Sequence, residues 1–289
     1  MPNRPTPAVA SNPSTMRVLV AGCGFVGAAL AGRLAARGVR VFGGKRNPVG
    51  LPAGVTPWAL DLAAPVVPDG VTHVVFCAAP DEGSEEAYRR LYVDGLTRLL
   101  DALDQSRAPL ERLVYTSSTS VFAEASGGDV DETSAVTSQP HGAIVREAEV
   151  ITQARPGGVV IRLAGIYGPG RERMIRMVAS GEARCSHPAP IGNRIHRDDA
   201  AGAIDHLLTL AQPDDLYVGV DDAPVELCEV YRWLAARLGV APPAESSEPD
   251  ARGRGAFKRC RNGRLRASGY ELAYPTYREG YGAMLDGQT

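Results

Sequence analysis

One short stretch near the amino terminus restricts the fold of this chain more than any other. Residues 16–21, MRVLVA, form an apolar run of the kind that a parallel strand buried on both faces presents. A glycine pattern, GxGxxG, follows at once, and the next residues have helical spacing that ends at Gly38. A second apolar run, VRVFGG at 39–44, completes a strand–helix–strand unit of about thirty residues. This order predicts the start of a parallel sheet with helices on its faces.

The same alternation continues along the chain. Further strands are predicted at 72–80, 112–118 and 158–168 and near 216–220, and helices at 85–103, 141–154, 199–211 and 226–238. Strands that alternate with helices indicate an α/β fold with a doubly wound parallel sheet of the Rossmann type.

The three glycines of the pattern have separate tasks if a dinucleotide binds there. Gly22 permits the tight turn, Gly24 lets the backbone approach a pyrophosphate, and Gly27 lets helix and strand pack closely. Phe25 and Val26 begin the helix, whose positive end offers unpaired N–H groups to the pyrophosphate. Dinucleotide binding is therefore predicted, although glycine near a helix start can also be a simple turn signal.

The end of the second strand, GGKRNP, predicts which dinucleotide binds. An acid at this place would bind the ribose hydroxyls of NAD and repel the 2'-phosphate of NADP, but no Asp or Glu precedes Asp61. Lys45 and Arg46 stand there instead, and each charge-assisted bond to a phosphate contributes roughly 1.5 to 3 kcal/mol. We therefore expect NADP(H), with NAD as the second choice; the alternative is a solvated basic turn.

Loops after the next two strands supply further candidates for the cofactor site. Asp61, followed by Leu62, could accept a hydrogen bond from the adenine amino group. Ala78 and Ala79 are small enough for a cofactor to pass over them. Each of these residues could equally be an ordinary loop residue.

The composition argues against several classes of protein. A chain of 289 residues with 44% hydrophobic residues can bury a large core, and its net charge of −2 provides no basic field for nucleic acid. No apolar run approaches the ~20 residues of a membrane span. The five cysteines lie far apart without metal-ligand spacing, so free buried thiols in a cytoplasmic protein are expected, rather than a disulfide framework or a metal site.

Several motifs together resemble one known family. GCGFVG, CAAP, YTSSTSVF, RLAGIYGPGR and NRIHRDDAA occur in the order and approximate spacing of the extended short-chain dehydrogenase/reductase family, often described as NAD-dependent epimerases/dehydratases. The resemblance covers about residues 16–285. It implies a Rossmann domain, a small C-terminal substrate domain, a catalytic Ser/Thr, Tyr and Lys, and dimers formed through two helices.

The resemblance and the change of pattern after Gly170 suggest a division of the chain. We expect a disordered tail at 1–15, a dinucleotide-binding domain at 16–170, and a smaller substrate or cap region at 171–289. Part of that region, about 196–220, is expected to return to the sheet. The polar stretch PPAESSEPDARGRG is predicted to be a flexible surface loop.

The chain departs from the family at its catalytic pair. When the family pattern Tyr-x-x-x-Lys is set on Glu149, the Tyr position holds His141 and the Lys position holds Val145. Lys45 and Lys258 are the only lysines, and neither has a Tyr four residues earlier. The chain thus resembles the atypical subgroup, in which the fold and the glycine motif persist without this pair.

The hydroxyl partner of the family pattern is present, and two other groups could deliver a proton. The Ser/Thr position falls on Ser118, with Ser117 and Thr119 beside it and able to contact the nicotinamide end, although serines at a strand end can simply satisfy loop backbone. Histidine side chains in general can exchange a proton near neutral pH, so His141 could act as a general acid. Tyr92, where the family usually has Asn, is a second candidate donor.

The remaining candidates concern the substrate. Asn193 and His196 match the family segment that lines the substrate cleft, and Tyr167 is either a substrate contact or a packing residue. Five basic residues between Lys258 and Arg266 either close over an anionic ligand or form a solvated basic turn and helix.

The lead hypothesis is an NADP(H)-binding oxidoreductase that acts on a small polar carbonyl or alcohol beside Ser118. Its partner would be this small-molecule substrate, not nucleic acid or a membrane. One alternative is a non-catalytic NADP(H) sensor, which loss of the Tyr/Lys pair favours. A second alternative is a nucleotide-sugar epimerase or dehydratase, and this hypothesis rests on the family analogy alone.

Overall fold

A computed structural model describes residues 15–107, 109–247 and 257–287 of the protein. The predicted tail therefore lies, up to residue 14, outside the described residues, as does the part of the predicted surface loop from residue 248 onward. Over the described ranges, no helix combines the length and the apolar character that crossing a membrane requires.

Strands and helices alternate as the sequence predicts. The strands are β1 (Arg17–Ala21), β2 (Arg40–Lys45), β3 (Thr56–Ala59), β4 (His73–Phe76), β5 (Arg112–Ser118), β6 (Asp129–Val130), β7 (Gly158–Leu163), β8 (Gly165–Tyr167), β9 (Arg184–Ser186), β10 (Ile191–Gly192), β11 (Arg194–His196), β12 (Leu216–Gly219), β13 (Val225–Glu226), β14 (Ala244–Ser246) and β15 (Arg259–Cys260). The helices are α1 (Phe25–Ala36), α2 (Glu85–Tyr88), α3 (Leu96–Gln105), α4 (Pro140–Gln153), α5 (Arg173–Ala179), α6 (Arg197–Thr209), α7 (Leu227–Leu238), α8 (Gly263–Ala267) and α9 (Tyr277–Leu285).

Within the described residues, seven strands form one parallel sheet in the order β12-β7-β5-β4-β1-β2-β3. Val18 of β1 lies between Val41 of β2 and His73 of β4, which places the carboxyl ends of these strands at one edge of the sheet. Strands β1 and β4 are almost completely buried because helices cover the sheet. The predicted doubly wound α/β fold is confirmed.

The chain forms two compact units, and their segments are interleaved along the sequence. The first unit comprises the residues up to Ser117, Gln139–Ile161 and Ala201–Tyr217. Its core includes leucines of α3 and the aromatic side chains of Phe76 and Tyr115.

The second unit comprises Ser118–Ser138, Arg162–Ala200 and the residues from Val218 onward. Its largest apolar cluster joins α7 and α9, with Leu234 and Tyr281 buried. The sequence-based division after residue 170 stays a prediction, since the units of the structure follow contacts rather than consecutive segments.

Two predicted elements of the second unit are wrong in detail. The single strand expected at 158–168 breaks after Leu163, and β8 leaves the large sheet to pair in parallel with β11. Part of the predicted surface loop, Ala244–Ser246, is ordered by parallel pairing with β9. Both errors arise because the pairing partners are distant in the sequence.

The expectation that all cysteines are free thiols is also wrong. Cys185 of β9 and Cys228 of α7 form a disulfide with a Cα–Cα distance of 5.3 Å and a sequence separation of 43. Cys23, Cys77 and Cys260 are free. Spacing could not reveal the pair, because only the fold brings β9 to α7.

The helix predicted at 85–103 is present but divided. Residues 89–95, between α2 and α3, have the wider turns of a π-helix. Such segments are rare and often lie at functional sites. Tyr92, one of the candidate proton donors, lies in this π-helical segment.

Candidate cofactor and active site

Steric demands explain two of the three glycines in the turn between β1 and α1. Gly22 has φ +96°, and a Cβ atom there would overlap the backbone of Ala78. A Cβ atom on Gly27 would lie 2.5 Å from the carbonyl oxygen of Gly22 and 2.9 Å from Sγ of Cys77. Only glycine allows this turn and this close packing of helix against strand.

Gly24 differs because space around it is open. The nearest atom to a Cβ atom at this position would be the carbonyl oxygen of Gly22, at 3.9 Å. Gly24 is the N-cap of α1 and has no side chain to cap the helix, and the first turn of α1 contains no acidic residue. The packing of the protein does not require glycine here, whereas a pyrophosphate approaching the helix end would.

The end of β2 is joined to the glycine turn. The carbonyl oxygen of Gly44 accepts hydrogen bonds from the N–H groups of Gly22 (2.9 Å) and Cys23 (3.0 Å). Burial raises the pKa of the Cys23 thiol, and the positive charge of Lys45 acts in the opposite direction. The Lys45 ammonium therefore acts electrostatically on the glycine turn.

An acid that the sequence analysis missed contacts the second basic residue of this region. Nη2 of Arg46 lies 2.8 Å from Oδ2 and 2.9 Å from Oδ1 of Asp81, and both side chains are mostly exposed. The expectation that no acid lies near GGKRNP is therefore wrong. Asp81 comes from the loop after β4, and a 35-residue separation gives no local signal.

The other loop candidates have mixed environments. Asp61 is exposed, and its Oδ1 accepts a hydrogen bond from the N–H of Ala63 at 2.9 Å, which shapes the loop and leaves the second carboxylate oxygen for a ligand. Leu62 packs against the core. Ala78 packs against the core beside Gly22, while Ala79 is exposed.

Ser117 has a hydrogen-bond partner within the protein. Its hydroxyl is buried and donates to Oε1 of Glu149 at 2.5 Å. Glu149 is fully buried, and its Oε2 accepts from Nη1 of Arg146 at 2.8 Å. Arg146 also bonds Gln153 at 3.0 Å. These contacts use Ser117 to hold α4 against β5, and its contact with the nicotinamide end stays a prediction.

Ser118 is the last residue of β5 and retains a free donor. Its Oγ accepts a hydrogen bond from the N–H of Ser120 at 3.1 Å and caps the short 3-10 helix Thr119–Val121. A hydroxyl that accepts in this way still has its own hydrogen to donate. Ser118 thus satisfies a loop N–H group and can still donate a hydrogen bond to a substrate oxygen.

His141 and Tyr92 both have contacts that limit them as proton donors. Nε2 of His141 donates to the carbonyl oxygen of Gly83 at 2.7 Å, which leaves Nδ1 for proton exchange. The exposed imidazole also packs edge-on against Tyr88, with ring centroids 4.5 Å apart. Tyr92 packs against Tyr88 and Tyr115, and burial raises the pKa of Tyr92 to about 12. At the Lys position of the family pattern, Val145 is buried.

Tyr167 and His196 meet inside the second unit. Their ring centroids are 5.3 Å apart, and both side chains are buried. Tyr167 also stacks on Tyr281, and its hydroxyl lies against Gly280 of α9. Nδ1 of His196 accepts from the N–H of Asp198 at 3.3 Å, so the proton is on Nε2. The structure gives Tyr167 a packing role, the second of the two roles considered for it.

Asn193 holds the basic segment near the carboxyl terminus, which belongs to the same unit. Its Nδ2 donates to the carbonyl oxygen of Lys258 at 2.9 Å, and its Oδ1 accepts from the N–H of Cys260 at 2.8 Å. Both polar atoms of the amide are therefore used within the protein. Asn193 thus has a structural role, and its binding of substrate stays a prediction.

Two of the five basic residues between Lys258 and Arg266 lie near acids. Arg261 contacts Asp129 at 2.8 Å, and Arg264 lies 4.0 Å from Glu132. The side chain of Lys258 is buried, which lowers the pKa of its ammonium. Arg261 and Arg266 are exposed, as expected of a solvated turn and helix, whereas Lys258 is buried; a clamp over an anion stays a prediction.

The first unit fits a dinucleotide at the carboxyl edge of its sheet. A pyrophosphate fits the open space at Gly24 and the uncapped start of α1. A further phosphate fits the two cations at the end of β2. The residues on this side of the sheet are Gly22, Gly24, Phe25, Val26, Gly27, Lys45, Arg46 and Asp61. A metal site receives no support, because the described part of the chain contains no group of three or more His, Cys, Asp or Glu side chains placed to hold an ion.

Comparison with known proteins agrees with this geometry. The profile of the NAD dependent epimerase/dehydratase family matches residues 18–219, and the chain belongs to this family. A candidate NAD-dependent epimerase/dehydratase from Methylobacillus flagellatus is 34% identical, with 95% of this chain and 99% of that chain covered and a TM-score of 0.76. Protein YeeZ of Escherichia coli (strain K12) is 29% identical over 279 residues, which cover 90% of this chain and 96% of that protein.

A more distant structure shares the fold. The human epimerase family protein SDR39U1 (isoform2), crystallised with NADPH, is 21% identical, with 94% of this chain and 99% of that chain covered and a TM-score of 0.78. The family resemblance inferred from the motifs is thus confirmed, and the fold is that of the extended short-chain dehydrogenases/reductases.

Proposed function

We propose that this protein is an NADP(H)-dependent oxidoreductase that acts on a small polar carbonyl or alcohol. The observation that carries the proposal is the contrast within the glycine turn: packing requires glycine at Gly22 and Gly27, and only an approaching ligand would require it at Gly24. Lys45 and Arg46 favour the phosphorylated coenzyme because each can bond a 2'-phosphate. The family supports a nicotinamide dinucleotide as the cofactor, and NADPH is the one bound to the human SDR39U1 protein, whereas MoeE5, another protein with this fold, binds NAD.

The chain's own residues supply binding and orientation. When bound, the nicotinamide supplies or accepts a hydride. Ser118 donates its hydroxyl hydrogen to the substrate oxygen and holds the reacting carbon in place, which can account for a large share of rate enhancement through positioning. Nδ1 of His141, or a water molecule, relays the proton, since Nε2 is bound to Gly83.

Consumption of NADPH tests this function directly. Purified protein is incubated with NADPH and a panel of small aldehydes, ketones and oxoacids, and the absorbance of the reduced nicotinamide is followed. We expect at least one carbonyl compound to be reduced by the parent protein and much more slowly by Ser118→Ala. Equal rates in both proteins would remove Ser118 from the mechanism.

A second candidate function, a non-catalytic NADP(H) sensor, is favoured by one observation. The positions of the family's Tyr and Lys hold a histidine bound to backbone and a buried valine, and burial raises the pKa of Tyr92 to about 12, which makes it a weaker proton donor. If NADPH binds tightly and no compound of the panel is reduced, this candidate replaces the first. The family is equally compatible with a nucleotide-sugar epimerase or dehydratase, for which the full catalytic trio would be expected.

The proposed setting follows from the same features. We propose a cytoplasmic protein whose partner is a small-molecule substrate and which forms homodimers as family members do. Nucleic acid and membranes are not proposed as partners, since the net charge is −2 and two basic residues of the carboxyl-terminal segment, Arg261 and Arg264, lie near Asp129 and Glu132.

A further inference from the structure

The ion pair between Arg46 and Asp81 lies where the proposed function needs a free cation. Arg46 directly follows β2, at the position expected to bind the 2'-phosphate of NADP. Its Nη2 is within 2.9 Å of both carboxylate oxygens of Asp81. A 2'-phosphate and Asp81 would therefore compete for the same guanidinium.

The segment that carries Asp81 is held at a fixed place by contacts on both sides. It follows β4, where Cys77 donates its N–H to the carbonyl oxygen of Ala21 at 2.9 Å and Ala78 abuts Gly22. Two residues after Asp81, the carbonyl oxygen of Gly83 accepts from His141. The Asp81 carboxylate is thus held near the cofactor side of the sheet edge.

The chemistry of a carboxylate at this place is that of a coenzyme selector. It can accept hydrogen bonds from the two ribose hydroxyls of an unphosphorylated coenzyme, and it repels a phosphate dianion. Rossmann sites usually carry such an acid at the end of the second strand, where this chain has Lys45 and Arg46. The loop after β4 supplies the acid instead.

We propose that Asp81 sets the coenzyme preference of this protein by competing with the 2'-phosphate of NADP for Arg46. The inference rests on the proposed function and adds a specificity-determining residue to it. Asp81 lowers the preference for NADP(H), so that the site also binds NAD(H).

The expected effect is modest because the pair is exposed. The side chains of Arg46 and Asp81 are 72% and 68% exposed, so solvent and salt screen their attraction. Loss of the competing carboxylate should therefore tighten NADPH binding by about two- to fivefold, the range of exposed ion pairs. NADH binding should be unchanged or weakened.

The test measures the ratio of the NADH and NADPH dissociation constants by calorimetric titration. Asp81→Asn removes the charge at constant size, and Glu82→Gln, which removes the charge of the next exposed residue, is the matched control. We expect the ratio to rise about two- to fivefold in Asp81→Asn and to stay close to the parent value in Glu82→Gln. In an Arg46→Gln background, Asp81→Asn should shift the ratio less, because competition for the guanidinium is absent and only the direct effects of the carboxylate on the two coenzymes remain.

Three outcomes would overturn the inference. Equal ratios in the parent and Asp81→Asn, equal shifts in Asp81→Asn and Glu82→Gln, or a full shift in the Arg46→Gln background would each exclude competition for Arg46. If the parent binds neither coenzyme, the proposed function and this inference fail together; if it binds NADPH and Asp81→Asn leaves the ratio unchanged, only this inference fails.

Discussion

The glycine turn and the first turn of α4 belong to the same unit, and they differ in how completely the family pattern is present. In the turn, a Cβ atom at Gly22 or Gly27 would overlap neighbouring atoms, whereas Gly24 borders open space at the start of α1. In α4, an exposed histidine and a buried valine occupy the positions of the acid–base pair. This fold can therefore keep the glycine turn of a dinucleotide site while it lacks the acid–base pair of the family.

The largest expected effect tests the turn. Gly22→Ala places a methyl group on the Ala78 backbone at a positive φ, and we expect a loss of about 2 to 4 kcal/mol in the free energy of unfolding. Gly24→Ala, the matched control, should cost less than about 1 kcal/mol and yet weaken NADPH binding at least about tenfold, since only the ligand side is crowded. Denaturant unfolding and NADPH titration check both variants. Parent-like NADPH binding by Gly24→Ala would contradict the assignment of that space to the coenzyme.

The next effect tests the chemical side of the comparison. Ser118→Ala removes the donor to the substrate oxygen, so we expect turnover to fall by about 100-fold, as for loss of one positioned hydrogen bond. His141→Phe keeps a ring against Tyr88 and should reduce turnover by less than about tenfold, because water can relay the proton. Steady-state kinetics with a compound found in the reduction screen measures both. A greater loss in His141→Phe than in Ser118→Ala would reverse the assigned roles.

A third variant separates the phosphate from the rest of the coenzyme. Lys45→Gln should weaken NADPH binding by about ten- to 100-fold, the value of one charge-assisted bond, and change NADH binding by less than about threefold. Arg40→Gln, the same charge change at the other end of β2, is the control and should affect neither coenzyme. Titrations at low and high salt provide a further check, because the Lys45 effect should shrink as salt rises. Equal losses for both coenzymes would place Lys45 away from the 2'-phosphate.

The smallest effect concerns Tyr92 and pH. Burial raises the pKa of Tyr92 to about 12, so its phenol stays protonated between about pH 5 and 10 and cannot serve as a base there. We expect Tyr92→Phe to keep activity within about threefold of the parent and to leave the pH profile of kcat/KM unchanged. A limb of that profile that disappears in Tyr92→Phe would give Tyr92 a catalytic role.

The sequence predicts the sheet well because each central strand carries its own signal. An apolar run bounded by turns is sufficient to find β1, β2, β4 and β5, and β5 matches its predicted bounds, 112–118. The helix at 85–103 shows the limit of this reasoning. Its apolar spacing predicts a helix, but the change to π-helical turns at 89–95 leaves no mark on that spacing.

Side-chain partners at long range are the part that could not be predicted. Asp81 meets Arg46, Cys185 meets Cys228, and Asn193 meets the backbone at 258–260, each across 35 or more residues. These pairs depend on which strands and loops become neighbours, and no local pattern encodes that. For this reason the cofactor side of the sheet was foreseen in outline, whereas the roles of Ser117, Asn193 and Arg46 required the structure.

Titration of the purified protein with NADPH and NADH under identical conditions tests the central claim most directly. A dinucleotide across the start of α1, with its 2'-phosphate at Lys45 and Arg46, predicts saturable binding of both coenzymes and a lower dissociation constant for NADPH. Absence of binding for both at millimolar concentration would contradict the assignment of the glycine turn, and tighter binding of NADH would contradict the assignment of the two cations.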